Sequence, residues 1–389
     1  MKRRYLKNLT SSLLVAIMCV SLVACGSQNE PASNNSEPVT STENTTVENN
    51  PTDTSTVTEE VSTGATMDDV NEQGQMRSFL TGQFEDVAIR NRRPVAIMTE
   101  NTKECQPLYG PSRASVVYEC PVEGQITRLM CIYEDYSGLD RIGNVRSCRP
   151  YYLMFMVEFD SIYCHAGQSA QGKIFLDTGL FDNLNALLGN VGNAMYYRSN
   201  EAQAPHNLYT SADGIDKGIE LMGYRRDHND TFPGHYYFSL DEPNTLPEGE
   251  DCQVVKFYYQ YNHPWFEYNP ADGLYYRYQF GDKMIDNNTG EQLTCTNIIF
   301  QEHEWELFEG TQYLNITTNG GGKGKFFTQG KMIDITWARE NDGDITHYYD
   351  KSGNEIRLNP GVTWVQVGQN TYADDNQYYA TIDEFKAAN

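Results

Sequence analysis

The residues most able to do chemistry lie in two short segments, 143–150 and 165–169. Arg146 and Arg149 carry fixed positive charge, and His165 can exchange a proton near neutral pH. The first segment runs from a predicted strand end into a helix start, where free backbone N–H groups attract anions. We expect an anionic or carboxylate-bearing ligand to be bound by Arg146, Arg149, His165 and Gly167. The alternative is structural, with the arginines paired to carboxylates and the histidine capping a loop.

Two carboxylates flank a predicted hairpin earlier in the chain. Glu119 and Glu123 could act as a general acid and a general base, and Arg128 lies close by in sequence. The same three residues also fit salt bridges with neighbouring charges. We include them among the candidate ligand-binding residues, and both interpretations stay open.

A third polar cluster is the loop that contains His206 and Asn207, just before a predicted helix. A loop histidine next to an asparagine fits a binding site and fits a capping role equally well. No short motif in the chain has the spacing of a metal or nucleotide site. The segment 303–307 lacks the second histidine of a zinc protease helix, and 319–326 resembles a P-loop only superficially. We therefore predict no metal and no cofactor.

The elements that must position these residues form an α/β pattern in the first half of the chain. Apolar runs predict strands over 94–98, 114–120, 126–133, 141–145 and 160–165. Helices are predicted over 150–159, 173–179, 182–188 and 215–222, the last with an N-cap at 210–213. If 141–145, 150–159 and 160–165 form a parallel strand–helix–strand unit, both strand ends share one sheet edge. Arg146, Arg149 and His165 would then converge there.

The second half of the chain is predominantly β. Residues alternate with a period of two in 254–261, 275–280 and 332–337, and turn signals separate these runs. We predict an antiparallel sheet, a flexible glycine-rich turn at 320–324 and a short final helix over 382–388. The many aromatic residues of this half fit a β core, and the alternative is a surface on which glycans stack.

Residues 1–24 have the pattern of a bacterial lipoprotein signal peptide. Four basic residues within the first seven positions precede an apolar run, and Leu-Val-Ala stands directly before Cys25. The apolar run is too short to span a membrane. We expect Cys25 to carry the lipid and to hold the protein at the outer face of the cytoplasmic membrane. The alternative is a cysteine that happens to end an ordinary cleaved leader.

Composition divides the rest of the chain. Residues 25–76 are rich in Ser, Thr, Asn and Glu and poor in aromatic residues, so they predict a disordered acidic spacer. The body then divides at the polar segment 241–250 into an α/β domain with a mixed sheet, 77–242, and a mainly antiparallel β domain, 251–389. The predicted fold class is therefore two-domain α+β.

Charge and cysteine content narrow the range of partners. The net charge of −24 opposes binding to nucleic acid. Seven cysteines lie in the body, and no two have the C-x-x-C spacing of zinc knuckles and redox dithiols. Several stand in apolar strand-like runs, where cysteine usually serves as a small buried hydrophobe.

The chain resembles the YerB-like lipoproteins of Gram-positive bacteria. The resemblance covers roughly residues 78–389. It is carried by the motifs at 93–98, 117–119, 122–128, 145–147, 165–167 and 204–209, together with Asn297 and the glycine-rich stretch at 320–324. It implies two domains of unknown function and says little about activity.

Two functions from different classes follow. The first is a non-catalytic lipoprotein whose α/β domain binds a cell-wall fragment, a peptide or an anionic small molecule. The alternative is a metal-independent hydrolase or transferase that uses His165 with Glu119 or Glu123. An acid–base enzyme needs these side chains within hydrogen-bond reach in one cleft, whereas a binding module needs only converging donors.

Overall fold

A mixed sheet of 11 strands runs through residues 64–388, the part of the chain that this computed structural model describes. The first half contains β1 (Met76–Arg77), β2 (Phe84–Glu85), α1 (Val87–Arg90), β3 (Val95–Glu100), β4 (Val116–Pro121), β5 (Thr127–Tyr133), β6 (Ile142–Gly143), α2 (Pro150–Val157), β7 (Ile162–His165), α3 (Ala170–Leu176), β8 (Asn183–Asn185), α4 (Gly189–Met195), β9 (Tyr197–Arg198), β10 (Leu208–Thr210) and α5 (Ala212–Met222).

The second half is built almost wholly of strands. It contains β11 (Glu250–Asp251), β12 (Val254–Lys256), β13 (Trp265–Asn269), β14 (Leu274–Gln279), β15 (Asp282–Lys283), β16 (Thr294–Cys295), β17 (Asn297–His303), β18 (Trp305–Leu307), β19 (Leu314–Ile316), β20 (Gly320–Thr328), β21 (Lys331–Arg339), β22 (His347–Tyr349), β23 (Thr363–Gln369), β24 (Gln377–Tyr379) and α6 (Ile382–Ala388). None of the helices within 64–388 is long and apolar enough to cross a bilayer.

The large sheet takes strands from both halves. Its order is β11-β21-β20-β17-β23-β4-β5-β3-β7-β8, and β22 pairs with β21. Strand β23 lies between β17 and β4 and is parallel to both. The first half contributes a mixed arrangement, because β3 is antiparallel to β5 and parallel to β7. The predicted α+β class is confirmed, and one continuous sheet joins the two halves.

Four smaller assemblies of strands accompany the large sheet. A six-stranded antiparallel sheet has the order β15-β14-β13-β12-β24, with β16 paired to β14. A three-stranded sheet has the order β6-β10-β9, and two hairpins consist of β1 with β2 and of β18 with β19.

Both faces of the large sheet are buried, which explains why its strands are apolar at nearly every position. Successive residues of a strand point to opposite faces. Val117 and Cys131 accordingly belong to one hydrophobic cluster, and Tyr118 and Met130 belong to the other. Helix α2 covers the second face, where the ring of Phe155 stacks on Tyr118 with a centroid distance of 4.9 Å.

Most predicted elements are present, with small shifts at their ends. The short helix predicted over 182–188 is wrong. Residues Asn183–Asn185 form strand β8 instead, because they pair with β7 and bury Leu184 in the core. Helix α4 begins only at Gly189. Tertiary pairing here overrides a weak local preference.

The glycine-rich stretch 320–324 is also not the flexible turn that the sequence predicts. It is the first half of β20, paired along its length with β21. A Cβ atom on Gly324 would lie 2.2 Å from the carbonyl oxygen of Phe300. The glycines therefore permit a close approach between neighbouring strands.

Residues that precede the predicted domain start at residue 77 contact the body. Within the predicted spacer, Asp68 forms an ion pair with Arg90 at 3.0 Å, and Met67 packs against the core. The predicted signal peptide, Cys25 and the spacer as far as residue 63 lie outside the described residues.

Candidate functional site

Residues 143–150, which we call the arginine segment, lie at the carboxyl ends of β3 and β7. The Arg146 N–H donates to the carbonyl of Met98 at 2.8 Å, and the Ala166 N–H donates to the carbonyl of Arg146 at 2.9 Å. The parallel strand–helix–strand unit predicted for this region is wrong, because β6 belongs to the small sheet and is antiparallel to β10. Backbone pairing with β3, rather than that unit, holds Arg146 at this edge.

Arg149 and Arg128 share one carboxylate. Arg149 donates to Glu123 through Nε at 2.9 Å and through Nη2, and Arg128 Nη2 lies 3.5 Å from the same side chain. Burial acts to raise the pKa of Glu123, but the hydrogen bonds and charges of the two arginines hold this pKa below its usual value. Both arginines are therefore occupied within the protein, as the structural interpretation requires.

Arg146 is also matched by a carboxylate. Its Nε lies 3.3 Å from Oε2 of the buried Glu100, and its Nη1 donates to the carbonyl of Pro205 at 3.2 Å. An external anion would have to compete with Glu100 for this guanidinium group. The geometry gives no support to an anion site formed by Arg146 and Arg149.

His165 is a buried core residue. Its Nδ1 contacts the carbonyl of Gly167 at 2.7 Å, and its Nε2 lies 3.1 Å from Oδ1 of Asn183. Burial acts to lower the pKa of the ring. Gly167 has a φ of +74° and supports the turn after β7. Both ring nitrogens lie against oxygen atoms of the protein and the side chain is fully buried, so neither nitrogen faces a ligand.

Glu119 lies in a different buried network, between the two halves of the chain. Its side chain and that of Arg277 are both fully buried, and they form an ion pair at 2.7 Å. Thr127 and Asn262 also donate to the carboxylate, at 2.7 and 2.8 Å. The carboxylate is thus neutralised and hydrogen-bonded, which is the arrangement of a structural ion pair. His165 and Glu119 do not form the catalytic pair of the alternative hypothesis.

The loop histidine, His206, lies next to a carboxylate and a thiol. His206 Nδ1 lies 3.0 Å from Oε2 of Glu100 and 3.4 Å from Sγ of Cys105. Burial and the charge of Glu100 raise the pKa of Cys105 to about 12, so the thiol is protonated. Asn207 instead has a structural role, because it accepts from Arg198 and donates to the carbonyl of Ser199.

A groove next to the β4–β5 turn is the candidate ligand site. We call it the hairpin groove; its volume is about 490 Å³. Its walls come from four segments of both halves: residues 121–125, residues 258–260, the hairpin residues Trp305, Leu307, Gln312 and Leu314, and Gln369 with Tyr372.

Aromatic and carboxamide side chains dominate the hairpin groove. Leu307 and Tyr372 are 55% and 43% exposed, and the Tyr372 ring lies 5.5 Å from the ring of Tyr258. Within residues 64–388, no hydrogen bond occupies the carboxamides of Gln125 and Gln312. Apolar walls with a few orienting polar groups are typical of small-molecule sites. Glu123 is the charged residue in the lining, and Arg149 already pairs with it.

Comparisons with known proteins identify the family. The family model described as "Protein of unknown function (DUF3048) N-terminal domain" matches residues 80–225, and the model of the corresponding C-terminal domain matches 254–365. The chain belongs to the DUF3048 family. Strand β23, which begins at the end of the second DUF3048 match, pairs with β4 in the first.

The chain is similar to YerB of Bacillus subtilis in sequence and in structure. The "Putative lipoprotein YerB" of Bacillus subtilis (strain 168) is 30% identical over 299 residues, which are 75% of this chain and 86% of the relative. The crystal structure of YerB protein from Bacillus subtilis superposes with a TM-score of 0.69 at 27% identity. That match covers 78% of this DUF3048 chain and all of the crystallised one.

Sequence reasoning missed the groove and the neighbours of His206. Trp305 and Tyr372 belong to no motif, and Cys105 stands 101 positions before His206. The sequence signal closest to the groove was the aromatic excess of the second half, since Tyr258, Trp305 and Tyr372 line the groove. Many of those aromatic residues, such as Phe257, Phe266 and Tyr275, fill the core.

Proposed function

We propose that this protein is a membrane-anchored lipoprotein of the cell envelope that binds a cell-wall glycan in the hairpin groove, without catalysis. The observation that carries the proposal is the lining of the groove. Exposed aromatic rings and carboxamides meet there, and its charged residue is already paired. The lipid on Cys25 would hold the protein at the outer face of the cytoplasmic membrane.

The anchor is supported by two independent observations. Residues 1–24 have the basic start, apolar run and small residues before Cys25 that a lipoprotein signal requires. The relative from Bacillus subtilis is itself described as a "Putative lipoprotein". A single lipid chain gives only marginal membrane binding, so stable attachment needs more than one acyl chain at this position.

The chemistry of the groove favours an uncharged, polar polymer. Aromatic rings such as those of Tyr258 and Tyr372 present large amphipathic surfaces at a low cost in side-chain entropy. Carboxamides such as those of Gln125 and Gln312 can both donate and accept hydrogen bonds. A sugar ring that carries hydroxyl and acetamido groups offers matching apolar faces and polar edges. We therefore assign the ligand to the N-acetylated glycan part of a cell-wall fragment.

An anionic ligand is less well supported by the same geometry. Arg146 pairs with Glu100, and Arg149 pairs with Glu123, so a ligand carboxylate would displace an internal one. The enzyme alternative lacks a matched acid and base, since His165 contacts Gly167 and Asn183.

Binding of soluble N-acetylated cell-wall oligosaccharides tests the groove. We expect Tyr372→Ala to weaken binding about 2- to 10-fold, because a lost aromatic contact costs about 0.5–1.5 kcal/mol. Tyr237→Ala is the matched control, since Tyr237 is 50% exposed and lies outside the groove. Calorimetric titration would measure both variants. Equal affinities for the two variants, or no binding by the parent protein, would contradict the proposal. A peptide with a free carboxylate should not bind.

Metabolic labelling with a fatty-acid analogue tests the anchor. We expect Cys25→Ala to abolish labelling and to release the protein from the membrane fraction, because the lipid is attached to the Cys25 thiol. The Cys105→Ala variant, which removes a buried thiol of the body, should label normally. Undiminished label on Cys25→Ala would refute the lipoprotein assignment.

A further inference from the structure

Three side chains of the types that bind transition metals meet beside the arginine segment. Glu100 ends β3, Cys105 ends the short 3-10 turn Lys103–Cys105, and His206 lies in the loop before β10. One ligand atom from each residue lies within 4.8 Å of the other two. We propose that Glu100, Cys105 and His206 form a binding site for a divalent transition metal ion, with zinc as the preferred ion.

The geometry suits a shared ion better than a catalytic triad. Cys105 Sγ and Glu100 Oε2 both approach the same ring nitrogen, Nδ1 of His206, at 3.4 and 3.0 Å. A proton relay would need the two groups on different nitrogens of the ring. Tetrahedral zinc with bonds of about 2.0–2.3 Å places neighbouring ligand atoms roughly 3.3–3.7 Å apart. Small side-chain adjustments would bring the three atoms to these separations.

The ligand set leaves one coordination position open. Glu100 and Cys105 are buried, whereas the side chain of His206 is 31% exposed. Three protein ligands with a fourth, solvent-facing position are typical of zinc sites that bind water or a substrate. A thiolate, an imidazole and a carboxylate also exclude magnesium and calcium, which prefer oxygen ligands.

Neighbouring groups hold the ligands in place. Arg146 Nε lies 3.3 Å from the Glu100 carboxylate, and Thr102 Oγ1 lies 3.2 Å from Sγ of Cys105. The side-chain amide of Asn144 donates to the backbone carbonyl of His206. Such outer contacts orient ligands in metal sites. Ion binding replaces the thiol proton of Cys105, which passes to the solvent.

Titration of the full-length mature protein with Co²⁺ alone, followed by displacement with Zn²⁺, tests the site. We expect one ion per chain and a thiolate-to-cobalt charge-transfer absorption. Cys105→Ser and His206→Gln should each weaken binding at least about 100-fold, because loss of even an outer-shell partner costs 10- to 100-fold. His347→Gln is the matched control, since His347 contacts Glu355 at 2.6 Å with no thiol present in that pair. It should leave the affinity unchanged.

The absence of a charge-transfer band, or equal affinity in Cys105→Ser and the parent protein, would overturn the proposal. A second measurement needs no variant. Saturating Zn²⁺ should slow alkylation of Cys105 at least tenfold while alkylation of Cys252, a buried cysteine outside the cluster, stays constant. Unchanged alkylation of Cys105 would refute the site even if the variants failed to fold. The hairpin groove is tested separately, by glycan binding to Tyr372→Ala, so the outcome for the metal site does not depend on it.

Discussion

Glu134 is a buried carboxyl group for which no Lys or Arg partner lies within ion-pair distance in residues 64–388. Its Oε2 accepts a hydrogen bond from the Ser78 hydroxyl, and its Oε1 is buried without a partner. Burial raises the pKa of Glu134 to about 8. The group is therefore protonated in the folded protein at neutral pH, whereas it ionises near pH 4.5 in the unfolded chain.

This raised pKa predicts that stability falls with rising pH. Between about pH 4.5 and 8 the folded state binds one more proton than the unfolded state, so the stabilisation is complete below 4.5 and is lost as the pH rises through 8. The parent protein should lose roughly 3–5 kcal/mol of unfolding free energy between pH 5 and 8. The Glu134→Gln variant should not show this loss. Denaturant unfolding of both proteins at the two pH values measures it.

Other buried groups contribute equally to the pH dependence of stability in the variant and in the parent, so their contributions cancel when the two proteins are compared. Burial lowers the pKa of His303 to about 4, so its titration makes stability rise with pH between about 4 and 6.5 in both proteins. Parallel pH profiles for the two proteins would contradict the assignment of the effect to Glu134.

At the residue scale, the sequence identified the charged groups but not their partners. Arg149 was expected to bind a ligand and pairs with Glu123, 26 positions earlier. Glu119 was a candidate base and pairs with Arg277, 158 positions later. Pairings over such distances depend on how strands are ordered in the sheet, which local patterns do not specify.

At the scale of elements, β20 shows how glycine can strengthen a strand pairing. A Cβ on Gly322 would lie 2.6 Å from the carbonyl oxygen of Glu302, and one on Gly324 would lie 2.2 Å from that of Phe300. Trp337 covers this region and donates through its indole N–H to the carbonyl of Glu302 at 3.1 Å. The missing side chains let β17, β20 and β21 pack closely.

Filling that space should destabilise the protein. We expect Gly324→Ala to lower the free energy of unfolding by about 1–3 kcal/mol or more, because the methyl group clashes with backbone that cannot move alone. Gly343→Ala is the matched control, since a Cβ there has no atom within 4 Å. Its effect should stay within about 1 kcal/mol. Thermal unfolding would compare the two, and equal melting temperatures would show that β20 tolerates the side chain.

Periodicity predicted the elements with strong patterns. The apolar run at 126–133 became β5, and the apolar segment after Pro150 became α2. Short or glycine-rich elements were wrong, as at β8 and β20. Their conformation is determined by the neighbouring strand rather than by their own residues.

At the scale of the whole molecule, β23 makes the two DUF3048 domains depend on each other. It lies between β17 and β4, and the buried Glu119–Arg277 ion pair adds a second link between the halves. Removing the second half would expose the edge of β4 and leave a buried carboxylate without its partner. Both effects are strongly destabilising.

A fragment of residues 64–250 should therefore not fold alone. We expect it to lack a cooperative thermal transition, whereas co-expression with residues 251–389 should restore one. The matched control is the intact body, 64–389. Calorimetry and hydrogen exchange would measure the difference. A cooperative transition of the isolated fragment at the melting temperature of the body would contradict this dependence.

By itself, the sequence determined the local features of this protein: an α/β first half, a β second half, most strands and helices, and the family. These features depend on nearby residues and on the periodicity of hydrophobic side chains. Only the tertiary structure decided the neutralisation of the arginines, the position of β23 and the meeting of Glu100, Cys105 and His206. It also created the hairpin groove from four distant segments. Such features require contacts between residues far apart in the chain, and these contacts depend on strand order and packing.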